Sequence, residues 1–273
     1  VLTGSHTIAE TAGTDTDMAH YDSSYSCWQE YHEGVSMSGN FPLFGEGTST
    51  DVTVDANQNI VCSFYNERHA TITIVKDAQP NDAQDFEFTL TPLVKDETEV
   101  FRSTVTKAPI DFSALETNSE AEPVDRTFWL DDDSDETLSD SRVLEVSSGR
   151  YMVAETPVEG WDLTDIDCGE YRYWEIDEET SELYFWAEPG SDIVCTFTNT
   201  KRATVTITKD AQPNFAQPFN FTTDLMGDEE TGFSLTDDGV SAALASKTFS
   251  AVVAGTYFVS ESVASGWTLS GIT

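Results

Sequence analysis

The sequence predicts an all-β protein made of tandem β-sandwich repeats, one complete and two partial. Three observations carry that prediction. The line "HATITIVKDAQPNDAQDFEF" (His69–Phe88) returns as "RATVTITKDAQPNFAQPFNF" (Arg202–Phe221), and long self-similarity at a fixed offset marks a duplicated structural unit. The repeated stretches alternate apolar and polar residues, are rich in Val, Ile, Thr, Phe and Tyr, and are punctuated by Gly, Pro, Asn and Asp, the pattern of half-buried strands and turns. No segment shows a 3.6-residue apolar period, so helices are not expected to organise the fold.

Taken in chain order, the pieces give three repeats. The first, 1–66, opens on a faint strand, "GSHTIAET" (Gly4–Thr11), and closes on "NIVCSFYN" (Asn59–Asn66). The second, 67–199, is complete. It has an opening strand with Lys76, a Phe-bearing strand, "GRYMVAETPVEGWDLTDIDC" (Gly149–Cys168) and the closing "DIVCTFTN" (Asp192–Asn199). The third, 200–273, has an opening strand with Lys209 and ends on "GTYFVSESVASGWTLSGIT" (Gly255–Thr273), without a closing strand. Aligning Phe88 and Phe128 with Phe221 and Phe233 places an insertion at about 91–126 in the second repeat, a surface segment suited to binding or to decoration.

Composition bounds the function. With 38% hydrophobic residues the chain can bury cores and is not a disordered acidic tail. Fifty Asp and Glu against 13 Lys and Arg give a net charge of −37, a field that repels nucleic acid and anionic membranes. A saline habitat or bound calcium would each account for it, and the spread of acids along the whole chain favours salt. No apolar run is long enough to span a membrane, so no membrane insertion is expected in this segment.

The residues "TITIVKD…DFEFTL…GRYMVAETPVEGW…IVCTFTN" resemble the prealbumin-like Cna-B/SpaA-type domain of surface proteins, pili and adhesin stalks. The resemblance covers the complete repeat and both partial ones, and implies tandem Ig-like or prealbumin-like sandwiches on an extracellular cell surface. Strand parity places Ile72, Ile74 and Lys76 on one face, Tyr151, Val153 and Glu155 on another, and Cys195, Phe197 and Asn199 on a third. Each set puts one polar residue on an apolar face, and buried polar groups must find one another. The resemblance implies that Lys76 and Asn199 join in an isopeptide bond assisted by Glu155. A buried Lys76–Glu155 ion pair with Asn199 beside it, and no covalent link, is the other reading. Trp161 and Trp267 stand where the family usually has Tyr.

The four cysteines also depart from the family pattern. They repeat in register, which suggests the disulfides Cys27–Cys62 and Cys168–Cys195 and an oxidising compartment. A metal site is the poorer reading, since no Cys-x-x-Cys occurs and His6, His20, His32 and His69 lie outside the cysteine spacing. The acidic run Leu130–Ser141 is read as a solvated turn, with calcium binding a weak alternative and no cofactor otherwise expected. A glycosylation sequon at Asn220 falls inside an expected strand and reads as a chance match. Catalytic motifs are absent, so the chain is not read as an enzyme.

The functional expectation is a structural subunit or repeat segment of an extracellular filament, pilus or stalk. The alternative is an adhesin stalk whose inserted loops recognise a carbohydrate or a surface protein. The third repeat carries Lys209 and Glu261 but no Asn-bearing closing strand; the first carries Glu10 and Asn66 but no Lys-bearing opening strand. Either the sequence is a window of a longer continuous chain, or copies join head to tail; the second is the expectation, with Val52–Asn66 of one against Ala203–Lys209 of the next and Asn66 near Lys209. The charge carries a separate prediction. The melting temperature should rise from low ionic strength to molar salt, where screening acts over about 3 Å; an unchanged value would argue against a saline origin of the −37.

Overall fold

A computed structural model describes residues 3–30, 41–94, 116–117, 126–133, 135, 137–227 and 231–273. The first stretch holds β1 (Gly4–Ala9), a 3-10 turn (Met18–His20), β2 (Tyr21–Gln29), β3 (Leu43–Glu46), β4 (Ser49–Val54) and β5 (Ile60–Arg68). The middle holds β6 (Ala70–Gln79), β7 (Asp82–Val94), β8 (Glu116–Thr117), β9 (Arg126–Asp132), β10 (Ser141–Val146), β11 (Gly149–Glu155), β12 (Trp161–Asp167), β13 (Trp174–Asp177), β14 (Glu182–Ala187) and β15 (Asp192–Lys201). The last holds β16 (Ala203–Thr208), β17 (Pro218–Thr223), β18 (Thr231–Thr236), the single-turn α1 (Ala242–Ala245), β19 (Ser246–Val252) and β20 (Val259–Ser262). The all-β expectation holds, and α1 and the 3-10 turn are the small helical additions among the described residues.

In the middle, two sheets face each other. One runs β10-β6-β15-β12; the other runs β13-β14-β11-β7, with β8 and β9 both pairing β7. Their inner faces are the alternate residues of each strand: Ile72 and Ile74 from β6, Phe86, Phe88 and Leu90 from β7, Val153 from β11, Leu183 and Phe185 from β14, and Cys195 and Phe197 from β15, all buried. Period-two burial of this kind fixes register, because a one-residue slip would turn each set to solvent. The β6–β15 pair is parallel, with Phe197 opposite Lys76 and Asn199 opposite Ala78.

The last stretch repeats much of this scheme. Phe221 pairs with Phe233 across β17 and β18 as Phe88 pairs with Phe128 across β7 and β9, and both ring pairs are stacked with an interplanar angle of 13°. Trp267 meets Phe219 edge-on as Trp161 meets Phe86. Gly160 and Gly266, just before those tryptophans, both adopt φ +83°, a conformation open to glycine, which explains the recurrent Gly-Trp pair. The inserted segment expected at about 91–126 lies mostly outside the described residues; its Glu116 and Thr117 pair with Val94 and Leu93 of β7.

Both disulfides are present. Cys27 and Cys62 are directly opposed on β2 and β5, and Cys168 reaches Cys195 on β15; each pair has a Cα separation of 4.0 Å. Reducing the chain should therefore lower the unfolding free energy by roughly 3.5–4 kcal/mol per bridge, the loop-entropy value for sequence separations of 35 and 27. Thermal or urea unfolding with and without reductant reads that loss, and Cys168→Ser should show the same deficit in the middle repeat alone.

Candidate functional site

The three inward polar residues of the middle repeat meet in its core. Lys76 and Asn199 are each only 2% exposed. The Lys76 ammonium donates to Asn199 Oδ1 at 2.7 Å, to Phe197 O at 3.0 Å and to Asp77 O at 3.0 Å. Three donors have three acceptors, which offsets the cost of burying the charge. The amine also lies 4.3 Å from the centre of the Phe86 ring. Asn199 Nδ2 donates to Glu155 Oε1 at 2.5 Å, while Glu155 Oε2 is buried with no partner among the described residues.

Burial narrows the gap in proton affinity between Lys76 and Glu155. Burial pulls Lys76 down from 10.5 to about 8, against the opposing pull of the Glu155, Asp77 and Asp132 charges. Burial pushes Glu155 above the ordinary carboxylate range, opposed by Lys76 and by the Asn199 hydrogen bond. Both directions favour a neutral amine beside a neutral carboxyl. A neutral amine set against an amide whose nitrogen is already bonded to a carboxyl is the arrangement that acyl transfer needs.

The outer repeats each hold half of the arrangement. In the last, Lys209 pairs with Glu261 at 3.0 and 3.1 Å, and its amine lies 4.2 Å from the centre of Phe219, as Lys76 does over Phe86. The side chains of that pair are 11% and 10% exposed. In the first, Asn66 Nδ2 donates to Glu10 Oε1 at 2.8 Å and Asn66 Oδ1 accepts from the Ser23 hydroxyl at 2.7 Å, on the exposed side of the fold. Among the described residues β16 pairs only with β19, and β5 only with β2.

Other candidates separate cleanly. In the acidic run, Asp133 accepts from the Asp135 backbone and Asp135 from Thr137, both at 2.7 Å, so these carboxylates brace their own turn. Positions 134 and 136 of that run lie outside the described residues. No group of three His, Cys, Asp or Glu side chains among the described residues is arranged to hold a metal ion. Sequence reasoning missed one contact: His20 and His69 both reach Glu145 Oε1, at 2.6 and 3.3 Å, and the hydrogen bond with His20 leads in holding that carboxyl below its ordinary value. Those residues have no shared spacing, so no pattern could have paired them. Asn220 lies within β17 and is exposed, accepting from Ser234 at 2.7 Å.

The titration of Lys76 has a definite sign. Between pH 8 and 10.5 the folded chain holds fewer protons on this group than the unfolded chain, so its contribution to stability rises with pH. The difference in unfolding free energy between the wild type and Lys76→Met, measured in urea across that window, should climb while the amine is free. A flat difference means that the amine has been consumed.

Residues 3–68 and 72–201, together well over half of the chain, each match a SpaA-type sequence profile described as a prealbumin-like fold domain. No curated protein sequence matches the chain. Among solved structures it is similar to the major pilin SpaD of Corynebacterium diphtheriae, at 16% identity and TM-score 0.28, covering 71% of this chain and 56% of that one. A streptococcal ancillary pilin aligns at 14% identity and TM-score 0.29, covering 92% of this chain and 85% of that one. The pilus adhesin SpaC of Lactobacillus rhamnosus GG aligns at 11% identity and TM-score 0.31, covering 95% of this chain and 37% of that one. The chain thus spans little more than half the length of SpaD.

Proposed function

Because the chain belongs to the SpaA-type family of prealbumin-like fold domains, we propose that it is a structural subunit or repeat segment of a pilus or stalk at the cell surface. The observation that carries the reading is the buried Lys76–Asn199–Glu155 cluster, which ties the first and last strands of one sandwich at the parallel β6–β15 pair. Tension along the chain would act on those strands first, and a bond between them resists it. An oxidising, extracellular location suits the two disulfides.

In this reading the cluster closes covalently during maturation. A proton passes from the Lys76 ammonium to Glu155, leaving a neutral amine and a neutral carboxyl. The amine nitrogen attacks Asn199 Cγ while the Glu155 carboxyl gives its proton to Nδ2, the atom it is hydrogen-bonded to. The C–Nδ2 bond then breaks, Nδ2 leaves as ammonia with that one added proton, the attacking nitrogen returns one proton to Glu155, and a secondary amide joins the two side chains. The event happens once per chain and consumes no substrate, so it makes the protein no enzyme.

Head-to-tail joining of copies belongs to the same reading, and its support is the complementarity of the outer half-sites: a Lys209–Glu261 pair at one strand edge and an Asn66–Glu10 pair at another. The two glutamates duplicate one position, which such a joint must accommodate by displacing one of them.

Mass spectrometry of the reduced protein tests the covalent step. The middle repeat should be lighter by one ammonia, with a branched tryptic peptide linking Lys76 to Asn199, and Glu155→Gln should restore the full mass. Recovery of Lys76 and Asn199 in separate linear peptides from the wild type would overturn it.

A further inference from the structure

The outward face of the first repeat differs from its counterpart in the middle one. On β2 the buried Cys27 turns Trp28, Ser26 and Ser24 to the opposite face, and on β5 Cys62 does the same for Val61, Ser63 and Tyr65. Register places Phe44 of β3 and Ser63 of β5 on either side of Ser26, Tyr65 opposite Ser24, and Trp28 opposite Val61. Phe44 is 70% exposed, Tyr65 56% and Trp28 39%. Three aromatic rings thus stand around a floor of three serine hydroxyls.

The scaffold does not require them. With the cysteines as anchors, Tyr65 corresponds to Thr198 of the middle repeat and Trp28 to Gly169. The inner face, by contrast, is tied down: a Cβ at Gly45 would stand 2.3 Å from Tyr25 Oη, so the Tyr25 ring fills the space over Gly45, and strand alternation turns Phe44 to the other face. Exposed rings on a rigid sheet, at positions the fold leaves free, mark a binding surface.

We propose that this face binds an extended, neutral polysaccharide chain. Size argues against a protein occupant. Strands about 4.8 Å apart, with same-face residues about 6.8 Å apart, make the patch a few hundred Å², below the roughly 800 Å² per partner of a stable protein interface. Chemistry argues for sugar. Ring faces stack on the C–H faces of pyranoses, and serine hydroxyls both donate to and accept from sugar hydroxyls. The stagger of the rings over three strands suits a chain rather than a single sugar. A net charge of −37 disfavours anionic polysaccharides. The inference is independent of covalent closure in the middle repeat, so either can fail without the other.

The test is affinity electrophoresis in gels containing soluble mannan, β-glucan or galactomannan, with sedimentation on cellulose and chitin powders, using the whole 273-residue chain. The wild type should be retarded or depleted by at least one of these polysaccharides. Trp28→Ala and Phe44→Ala should each weaken that binding about tenfold, the loss expected of an aromatic anchor, with the melting temperature unchanged because the rings are exposed. Trp129→Ala, an exposed ring on the middle repeat, should bind as the wild type does. Failure to bind any of the five, or binding that persists in the Trp28→Ala/Phe44→Ala/Tyr65→Ala variant, overturns the proposal. Concentration-dependent dimerisation that this triple variant abolishes would assign the face to a second copy and overturn it equally.

Discussion

The middle sandwich is organised around a buried lysine. An ammonium in an apolar core is tolerated only with its donors satisfied, and Lys76 finds all three acceptors within reach: its neighbour's carbonyl and two groups of β15. That requirement selects the β6–β15 register, since Phe197 O and Asn199 Oδ1 reach the amine only when Phe197 lies opposite Lys76. It also sets the distance between sheets, because Glu155 must come down from β11 to meet Asn199. Parallel pairing of strands far apart in sequence is costly in loop entropy. Here the buried polar cluster holds β6 to β15, while the Cys168–Cys195 bridge ties β15 on its other side to the residue that follows β12.

The repeats reuse this plan unevenly. Strand-start chemistry is shared: Ala78 N donates to Asp132 and Ala211 N to Asp237, each at 2.9 Å, so one aspartate braces the turn after each lysine strand. The cation over a phenylalanine ring is shared as well. What differs is the partner of the lysine. Lys76 has an amide oxygen and two carbonyls, whereas Lys209 has a carboxylate gripped through both oxygens. Around Lys76, neutral acceptors stand where Lys209 has that carboxylate. The Asn-bearing strand therefore contributes more than an electrophile, because its neutral acceptors let burial lower the lysine's proton affinity.

Much of this was legible because strand parity is a strict rule. Lys76, Glu155 and Asn199 could be placed in one core from alternation alone, and the cysteine pairs from their repeat in register. The Phe88–Phe128 and Phe221–Phe233 alignments turned out to be cross-strand partners, so sequence spacing had recorded sheet register. Contacts made by surface side chains from distant strands left no such trace. The meeting of His20 and His69 on Glu145 depends on how a turn before β2 and the start of β6 approach β10, which no local period encodes. The aromatic face of the first repeat was hidden for the same reason: Trp28, Phe44 and Tyr65 lie on three strands, and only the β3-β2-β5 order brings them together.

Inner and outer faces are thus governed by different constraints. Inside, each residue answers to register, volume and hydrogen-bond satisfaction, and the middle and last repeats keep the same Phe, Trp, Lys and Glu positions. Outside, a strand residue needs only to tolerate water, so Thr196 and Thr198 in one repeat can be Ser63 and Tyr65 in another at little cost to the fold. Acidic side chains occupy much of that free surface, and on the aromatic face they stand at one end, with Glu46 beside Ser24 and Glu67 beside Asp22. A sheet whose strands β2 and β5 are bridged by Cys27–Cys62 can carry exposed rings on its other face. The order that such a bridge imposes is also what a flat binding surface requires.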